Sequence, residues 1–329
     1  MRVLILRRQE FGGIATYTNL LADALHDEDV EAVVDDADDW IPNKTGWRVD
    51  REVGKVLKAA ARGFDIVHAF GYRTAWACSA AFYVSEPWVY TAYDMPRTTH
   101  VELVKRLNTA RIGLCSSHAV RNKLAEAFAL NLEVIPPGIR ANTRVLDRQE
   151  SRGMYGVSDD EILIVAAGRF VEERGFESLI AAVHSLPKNF RLILSGQGPL
   201  EDSLVAAAGD RATVTHELFS QQVAMAAADL VVVPSTRAGF SYTALEAMHQ
   251  GVPVLLKGTG GLPEMYGKES ESAVYSEDSD LAAEIERLLG DSEQLDRLRE
   301  LGKERAAKQF DIKDCAAKHA SRYRQILGK

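Results

Sequence analysis

Glycine turns flanked by arginine stand out in the second half of the sequence as groups that could bind an anion. Gly168-Arg169 and Arg174-Gly175 both follow an apolar run that ends at Ala166. Without a Cβ, glycine lets a ligand approach the backbone, while two guanidinium groups can hold a diphosphate through forked N–H donors. The pattern predicts a diphosphate site at Arg169 and Arg174. Ordinary surface arginines around a turn are the alternative.

A serine-capped helix is the second candidate for anion binding. After the apolar run that ends at Val233, Gly239 and Ser241 precede the helical stretch Tyr242 to Met248. The N-terminus of a helix carries partial positive charge, so this position is a prepared anion site. Glu246, more than a turn inside the helix, could accept hydrogen bonds from a ribose diol. A solvent-facing helix glutamate is the alternative.

Two further glycine turns follow apolar runs in the same half. Gly196 and Gly198 come directly after Leu192-Ile193-Leu194, and the turn Gly258 to Glu264 follows another apolar run. Backbone N–H groups at such turns can face a phosphate or a base. A simple tight turn is the alternative for each of them.

Short β-branched runs that alternate with amphipathic helical patterns must position these groups. A dozen or more residues separate successive runs, which predicts parallel sheets wound by crossover helices and therefore an α/β fold. The same architecture occurs twice along the chain. The runs predicted as strands are Val3 to Leu6, Ala32 to Val34, Asp65 to Ala69, Trp88 to Thr91, Ile112 to Cys115, Leu132 to Ile135, Ile162 to Ala166, Phe190 to Leu194, Ala212 to Thr215, Asp229 to Val233 and Val252 to Leu256.

The chain is predicted to form two domains, residues 1–145 and 146–310. Between them, Pro136-Pro137-Gly138 and the polar segment Arg140 to Asp160 interrupt the periodicity, as a linker does. The end of the chain carries two charged helical stretches without strands, Leu281 to Lys308 and Asp311 to Leu327. The final helix, within residues 311–329, is predicted to pack back on the first domain.

The composition excludes several classes of protein. With 329 residues and 46% hydrophobic content, each half can bury its own core. A net charge of −8 and a pI of about 5.6 predict no nucleic-acid partner. Three distant cysteines argue against a disulfide framework or a zinc site and favour a reducing cytoplasm. The chain shows neither a secretory signal nor an apolar run of membrane-spanning length, so we expect a cytoplasmic protein.

Read in order, these motifs resemble the family-4 retaining glycosyltransferases of the GT-B fold, the glycosyl transferases group 1. The resemblance covers nearly the whole chain. It implies two Rossmann-like domains facing an interdomain cleft, with the acceptor mainly on the first and a nucleotide-sugar on the second. The matching motifs are Gly12-Gly13, Asp65-Ile66-Val67-His68, Ser116-Ser117-His118-Ala119-Val120, Val134-Ile135-Pro136-Pro137-Gly138, Gly168-Arg169 with Arg174-Gly175, Gly196-Gln197-Gly198-Pro199, Pro234-Ser235, Leu245-Glu246-Ala247-Met248 with Gly251-Val252-Pro253-Val254, and Gly260-Gly261-Leu262-Pro263-Glu264.

The resemblance also implies roles for individual residues. Arg169 and Arg174 would hold the donor diphosphate and Glu246 the ribose, and these three are the expected catalytic residues. No metal or cofactor is expected, because fixed cations and a helix N-terminus can stabilise the departing diphosphate. The acceptor would be a glycan, a small molecule or a lipid-linked sugar. The other expected donor-binding residues are Gly168, Gly196, Gly198, Ser235, Gly239, Phe240 and Ser241, and those on the sugar and acceptor side are Gly12, Gly13, Tyr93 and Asp94.

Three positions depart from the family pattern. Arg174 stands where the family usually has lysine, which keeps the charge. Ala238 replaces a glutamate eight positions before Glu246, and Tyr93 replaces the histidine of a Thr-x-His-Asp-like turn. Two alternatives therefore stay open. One is a catalytically weak or inactive nucleotide-sugar-binding protein or partner subunit, and the other is a GT-B-fold nucleotide-sugar epimerase.

A basic amphipathic helix is predicted over Asp50 to Arg62, with Trp40, Ile41 and Trp47 nearby. Basic faces beside apolar ones suit anionic lipid surfaces. A lipid-linked acceptor and peripheral attachment at the inner membrane face are therefore a hypothesis, and an ordinary domain helix with a solvated basic face is the alternative. The basic positions on one helix face are Arg51, Lys55, Lys58 and Arg62, and the apolar positions on another are Val53, Val56, Leu57 and Ala60.

Overall fold

The chain folds into two compact units, and each is described by itself. A computed structural model describes residues 1–8, 12–42, 47–81, 87–96, 107–140, 146–216 and 218–328. The first unit contains residues 1–140 and 310–329, and the second contains residues 141–309. The boundary that the sequence places at 145 adjoins residues 141–145, which lie outside the described residues.

A parallel six-stranded sheet forms the centre of the first unit. Its strands are β1 (Arg2–Arg7), β2 (Glu31–Asp36), β3 (Ile66–Phe70), β4 (Trp88–Ala92), β5 (Ile112–Cys115) and β6 (Leu132–Val134), and the helices between them are α1 (Gly13–His26), α2 (Trp47–Ala60), α3 (Tyr72–Ala81) and α4 (His118–Ala125). The strand order is β2-β1-β3-β4-β5-β6. Central strands β3 and β4 are buried along their whole length, as expected where helices cover both faces of a sheet.

The second unit repeats this architecture with a second parallel six-stranded sheet. Its strands are β7 (Ile162–Ala167), β8 (Phe190–Ser195), β9 (Ala212–Thr215), β10 (Leu230–Val233), β11 (Val254–Lys257) and β12 (Val274–Tyr275). Its helices are α5 (Arg148–Met154), α6 (Phe176–Ser185), α7 (Glu201–Ala208), α8 (Leu218–Ala227), α9 (Tyr242–Gln250), α10 (Leu281–Leu289) and α11 (Ser292–Lys308). The strand order is β12-β11-β10-β7-β8-β9.

The C-terminal helix, α12 (Ile312–Ile326), belongs to the first unit. Asp311 caps it by accepting a backbone hydrogen bond in the first turn. On its buried face, Cys315 Sγ lies 3.3 Å from the Tyr17 hydroxyl of α1. The Tyr323 hydroxyl lies 2.6 Å from Nδ1 of His68 in β3. The helix is therefore part of the core of the first unit and shares polar contacts with two of its central elements.

The α/β prediction with two Rossmann-like sheets is confirmed, and every predicted strand is present with ends shifted by two residues at most. Three local predictions are corrected. The predicted helical stretch Leu281 to Lys308 is two helices, because Asp291 caps α11 after a break at Gly290. The predicted linker contains α5, which Arg152 ties to the second unit through Asp229 at 3.1 Å. The two-residue strand β12 is absent from the prediction, since so short a strand has no readable alternation.

In each sheet the strand order reverses at one place. The reversal lies between β1 and β3 in the first sheet and between β7 and β10 in the second. Open parallel sheets bind ligands in the crevice at such a switch point, outside the carboxyl ends of the strands. In the second unit, this crevice lies between the loops that follow β7 and β10. Within the part of the chain that the structure describes, no helix is long and apolar enough to cross a membrane.

Candidate functional site

The loops after β7 and β10 touch at the carboxyl edge of the second sheet. Gly175 has a left-handed backbone with φ of 68°, and a Cβ on it would lie 2.2 Å from the carbonyl oxygen of Pro234. The Thr236 backbone N–H donates to the carbonyl oxygen of Glu173 across 2.9 Å. Only glycine fits this approach. Gly175 therefore sets the Arg174 turn directly against the loop after β10.

Arg174 lies beside Ser235 at this junction. Its Nη1 is 3.5 Å from Ser235 Oγ, the only side-chain hydrogen bond of Arg174 within the described ranges. Ser235 is 2% exposed, and its carbonyl oxygen accepts a hydrogen bond from the Thr259 hydroxyl at 2.6 Å. A guanidinium carries five N–H donors, so one long contact leaves donors for an anion. The Arg174 side chain also passes close to Gly168: if Gly168 had a Cβ, that atom would lie 3.9 Å from Arg174 Cδ.

Helix α9 begins beside the end of β7. The Ser241 hydroxyl caps α9 by accepting a hydrogen bond from the Ala244 N–H at 3.1 Å. The Thr243 hydroxyl donates to the carbonyl oxygen of Ala167, also at 3.1 Å. The positive end of the helix dipole therefore lies at the switch point. Glu246 is half-buried and three residues beyond Thr243, so the two side chains share one face of α9.

The turn that contains Gly196 and Gly198 packs against the loop after β7. A Cβ on Gly196 would lie 1.9 Å from the carbonyl oxygen of Gly168, and one on Gly198 would lie 2.5 Å from that of Phe170. Both distances exclude a side chain. Close packing of two loops thus accounts for these glycines, and their contact with a donor stays a prediction.

Arg169 is exposed on the same loop. Its side chain makes no hydrogen bond or ion pair with any residue in the described ranges. The nearby Arg237, in contrast, pairs with Glu173 at 3.2 Å. The structure therefore leaves the Arg169 guanidinium available to a ligand, while its role in binding stays a prediction.

The segment that leads into α9 is buried. Phe240 and Ser241 are 3% and 5% exposed, and Gly239 is buried between Ala238 and Phe240. Ala238 is fully buried, and its carbonyl oxygen accepts a hydrogen bond from the Gly261 N–H at 3.0 Å. The backbone at Ala238 thus joins the loops after β10 and β11, but its side chain offers no acid to a ligand.

In the first unit, a buried arginine holds the beginning of α1. The Arg7 guanidinium, 5% exposed, pairs with Asp36 at 2.5 Å and donates to the carbonyl oxygen of Ala15 at 2.8 Å. Gly12 precedes α1 with φ of 97°, and Gly13 is its first residue. Residues 9–11 of this turn lie outside the described residues. The predicted acceptor-side turn is therefore placed from Gly12 onward.

Tyr93 and Asp94 follow β4 in the same unit. Tyr93 is 5% exposed, its carbonyl oxygen accepts from the Ser116 hydroxyl at 2.7 Å, and its ring centroid lies 6.3 Å from that of Tyr17 on α1. Asp94 is half-buried, and within the described residues its Oδ1 has no hydrogen-bond partner. The structure thus brings Tyr93 beside α1, the helix that Gly13 begins.

Some residues that hold these sites together could not be predicted from the sequence. Thr243 and Thr259 supply the hydroxyls that join three loops, yet a threonine near a helix start or a turn has no distinguishing pattern. Arg7 was missed as well, because one arginine after an apolar run does not reveal its burial. Within the described ranges, no group of three or more His, Cys, Asp or Glu side chains could hold a metal ion.

Comparison with protein families finds a similarity in the second unit. Residues 147–305 match the family described as "Glycosyl transferases group 1". The matched segment, just under half of the chain, therefore carries the sequence pattern of the group 1 glycosyltransferases. The matched segment contains Arg169, Arg174 and Glu246, so all three expected catalytic residues lie in the part of the chain that matches this family.

Proteins similar to this chain include the MMP alpha-(1→4)-mannosyltransferase of Mycolicibacterium hassiacum. It is 29% identical over 295 residues, which are 83% of this chain and 68% of the relative. The regions matched in seven further relatives span 39% to 67% of their own lengths. For most of these relatives, the chain therefore spans about half of the protein. The match does not assign the substrates of these relatives to this chain.

Solved structures share the fold of both units. Sucrose-phosphate synthase from Thermosynechococcus elongatus matches with a TM-score of 0.87 at 20% identity, over 100% of this chain and 99% of that one. Anabaena Alr3699/HepE, in a complex with UDP and glucose, matches with a TM-score of 0.83 at 21% identity, over 99% and 100%. At such identities the likeness shows the fold alone, which is the GT-B pair of Rossmann-like domains.

Proposed function

We propose that the chain transfers a sugar from a nucleoside-diphosphate donor to an acceptor hydroxyl, with retention of configuration and without a metal ion. The observation that carries the proposal is the junction of the loops after β7 and β10, where Arg174 meets Ser235 and Thr243 meets Ala167. The junction combines a cation, glycine turns and the positive end of α9 at a switch point. The Anabaena complex with UDP and glucose supports a nucleotide-sugar as donor.

In the proposed chemistry, residues of the second unit stabilise the negative charge of the leaving group. As the bond between the anomeric carbon and the diphosphate oxygen breaks, negative charge develops on the leaving diphosphate. Arg169, Arg174 and the N-terminus of α9 stabilise that charge. The acceptor oxygen attacks the same face of the sugar and its proton passes to the leaving phosphate, so no protein nucleophile is used. Glu246 accepts hydrogen bonds from the ribose hydroxyls.

The acceptor side of the proposal rests on the first unit. Asp94 has a carboxylate oxygen without a partner among described residues, and it follows Tyr93 at the end of β4. A buried carboxylate oxygen in this state can accept a hydrogen bond from a hydroxyl. We propose that Tyr93, Asp94 and the Gly12-Gly13 turn contact the transferred sugar or the acceptor, which is a glycan, a small molecule or a lipid-linked sugar.

One structural observation favours a second candidate function. Ala238 is fully buried and brings no acid to the switch point, although the family usually has a glutamate there. A chain that keeps Arg169, Arg174 and Glu246 but lacks this acid would bind a nucleotide-sugar and turn it over slowly or not at all. The second candidate is therefore a nucleotide-sugar-binding protein or partner subunit.

Titration calorimetry with UDP, GDP and ADP tests the shared part of both candidates. We expect one of the three to bind, and Arg174→Ala to weaken it by about 10-fold or more, because a charge-assisted hydrogen bond is lost. Arg191→Ala is the matched control, since Arg191 pairs with Glu161 at 3.4 Å outside the switch point. Absence of binding to all three nucleotides would reject both candidates.

Product analysis then separates the candidates. With the sugar derivative of the nucleotide that binds, mass spectrometry should detect free sugar released slowly into water, and faster nucleotide release with a suitable acceptor. Binding without any release across a panel of acceptors favours the binding protein. Conversion of the nucleotide-sugar into its epimer without an acceptor would identify an epimerase instead.

A further inference from the structure

Helix α2 in the first unit has a buried face and an outward face of opposite character. Val53 and Leu57 are 3% and 0% exposed and pack in the core cluster with Trp76 and Trp88. The sequence pattern assigned Val56 to this apolar face, but the structure leaves Val56 43% exposed. The buried face is thus narrower than predicted, and one large apolar side chain remains at its edge.

The outward face of α2 carries a strip of positive charge. Arg48, Arg51, Lys55 and Lys58 are all exposed, and Arg62 is exposed in the turn just after the helix. At about 100° per residue, the four helical cations fall within an arc of roughly 80°, opposite the buried face. We call Arg48, Arg51, Lys55, Lys58 and Arg62 the basic strip.

The basic strip contrasts with helix α11 and with the net charge of the whole chain. On α11, the half-buried Arg299 and the exposed Lys303 and Lys308 pair with Asp296, Glu300 and Glu304 of the same helix. On α2, Lys55 pairs with Glu52 at 2.8 Å, and Asp50 is the only other acid of the helix. The whole chain has a net charge of −8. A concentration of cations on one helix of an acidic chain selects an anionic partner locally.

An open groove of about 400 Å³ lies beside the basic strip. Its apolar lining comes from Trp40, Pro42, Val49, Val53 and Val56, and its charged lining comes from Asp39, Arg48 and Glu52. The Trp40 indole N–H reaches Asp35 at 3.5 Å, so the apolar body of the ring lies over the groove while its polar edge is satisfied. Cations and an exposed apolar groove therefore lie on neighbouring faces of one helix.

We propose that the basic strip and this groove dock the chain on an anionic lipid bilayer. Lysine and arginine near such a surface attract lipid phosphates, and apolar side chains beside them enter the boundary between headgroups and acyl chains. A nucleic acid would use the cations but not the groove. Two of the three residues predicted near the helix are not part of this docking surface: Ile41 is 0% exposed and belongs to the core, and the Trp47 side chain lies outside the described residues.

Vesicle co-sedimentation tests the proposal with the full chain. The probes are vesicles of phosphatidylcholine alone and vesicles with about 30% phosphatidylglycerol, which supplies the negative surface charge. We expect the chain to pellet with the anionic vesicles only. Raising the salt from about 0.05 M to about 0.5 M should release it, because the Debye length falls below the width of the strip.

Charge-reversal variants locate the surface. Arg51→Glu/Lys55→Glu/Lys58→Glu should lower the apparent affinity for anionic vesicles by about 100-fold or more, and Val56→Ser by roughly 5-fold. The matched control is Arg299→Glu/Lys303→Glu/Lys308→Glu, with the same change of charge on an exposed helix, and it should bind like the unmodified chain. Nucleotide affinity should be unchanged in all three proteins, so a failed docking proposal is distinguishable from a failed donor site.

Three results would overturn docking on a bilayer. One is equal binding to both kinds of vesicle, or to neither at low salt. Another is an equal loss of binding in the α11 control, which would mean that only net charge matters. The third is tight binding of a duplex RNA to the basic strip, together with a Val56→Ser variant whose affinity for anionic vesicles is unchanged. If circular dichroism shows that the triple α2 variant is unfolded, Val56→Ser and the salt series decide the question.

Discussion

The Thr243 hydroxyl donates a hydrogen bond to the carbonyl oxygen of Ala167 across 3.1 Å, which fixes the beginning of α9 to the end of β7. These residues are far apart in sequence and lie on the two sides of the switch point. The bond brings the positive end of α9 and the Arg174 turn to one place, where Ser235 completes the junction. The proposed donor site depends on this arrangement more than on any single charged residue.

Replacement of Thr243 by valine should weaken donor binding without unfolding the protein. The two side chains have nearly the same shape, so the change removes chiefly the hydroxyl. We expect the free energy of unfolding to fall by about 1 kcal/mol and nucleotide affinity to fall by roughly 5-fold. Calorimetry and chemical denaturation measure both quantities. The control is Thr213→Val on the exposed side of β9, and equal nucleotide affinity in Thr243→Val and its control would contradict the prediction.

A pair of alanine substitutions at glycines tests the contact between the two loops. Gly175 and Gly156 both have left-handed backbones, with φ of 68° and 60°, but a Cβ would meet a neighbour within 4 Å only at Gly175, where it would approach the carbonyl oxygen of Pro234. Gly156→Ala should therefore cost about 1–2 kcal/mol of unfolding free energy from backbone strain alone. Gly175→Ala should cost more and also abolish nucleotide binding. Unchanged nucleotide affinity in Gly175→Ala would show that the junction is not part of the donor site.

Arg169 gives a prediction for the diphosphate alone. Its exposed guanidinium has no partner to lose among described residues, so Arg169→Ala should leave stability within about 0.5 kcal/mol of the unmodified chain. Nucleoside-diphosphate binding should nevertheless weaken by about 1.5–3 kcal/mol. Affinity for the nucleoside itself should stay the same. An unchanged affinity for the diphosphate would remove Arg169 from the site.

Glu246 gives a prediction for the ribose. If its carboxylate holds the ribose hydroxyls, Glu246→Gln should lower affinity for the nucleoside diphosphate by about 10-fold. The same variant should bind the 2′,3′-dideoxy analogue as well as the unmodified chain does. A double-mutant comparison of protein and ligand therefore isolates this contact. Equal losses for both ligands would mean that Glu246 acts on the structure of α9 instead.

We expect the stability of the first unit to depend on pH because two of its histidines are buried. Burial lowers the pKa of His319 to about 4 and holds the pKa of His68 well below its usual value. Between pH 6.5 and pH 4 the unfolded chain therefore binds more protons than the folded chain, and stability falls as the pH falls through this window. For His319 the loss by pH 4 is on the order of 3 kcal/mol.

Chemical denaturation at a series of pH values measures this effect. His319→Leu should flatten the dependence of unfolding free energy on pH, although the variant also loses the 2.9 Å contact between Nδ1 and the carbonyl oxygen of Cys315. His216→Gln is the control, because this histidine is exposed and pairs only with Glu201 among described residues. A slope that His319→Leu leaves unchanged would assign the pH dependence to other groups.

The sequence predicts the fold more completely than it predicts the contacts within the site. Strands such as Leu230–Val233 could be predicted because a continuous, mostly β-branched apolar run between turns has few other solutions in an α/β chain. The break between α10 and α11 was missed, since charged residues continue across Gly290 and only the cap at Asp291 marks it. Local periodicity thus identifies elements reliably when they are longer than a turn.

Within the site, motifs identified residue types but not contacts. Gly175 could be predicted as part of a turn, whereas its contact with Pro234 depends on two strands that are distant in sequence. Ile41 and Val56 show the same limit: both are apolar and near the basic strip, yet one is 0% and the other 43% exposed. Which apolar side chain faces the core is decided by tertiary packing, and a single sequence pattern does not contain that information.

Hydrogen–deuterium exchange with and without the nucleoside diphosphate that binds tests the central claim most directly. If the loops after β7 and β10 form one diphosphate site, residues 168–175 and 235–246 should gain protection together, and Arg174→Ala should remove the gain in both segments at the same nucleotide concentration. Protection confined to one of these segments, or found only elsewhere in the second unit, would contradict the claim.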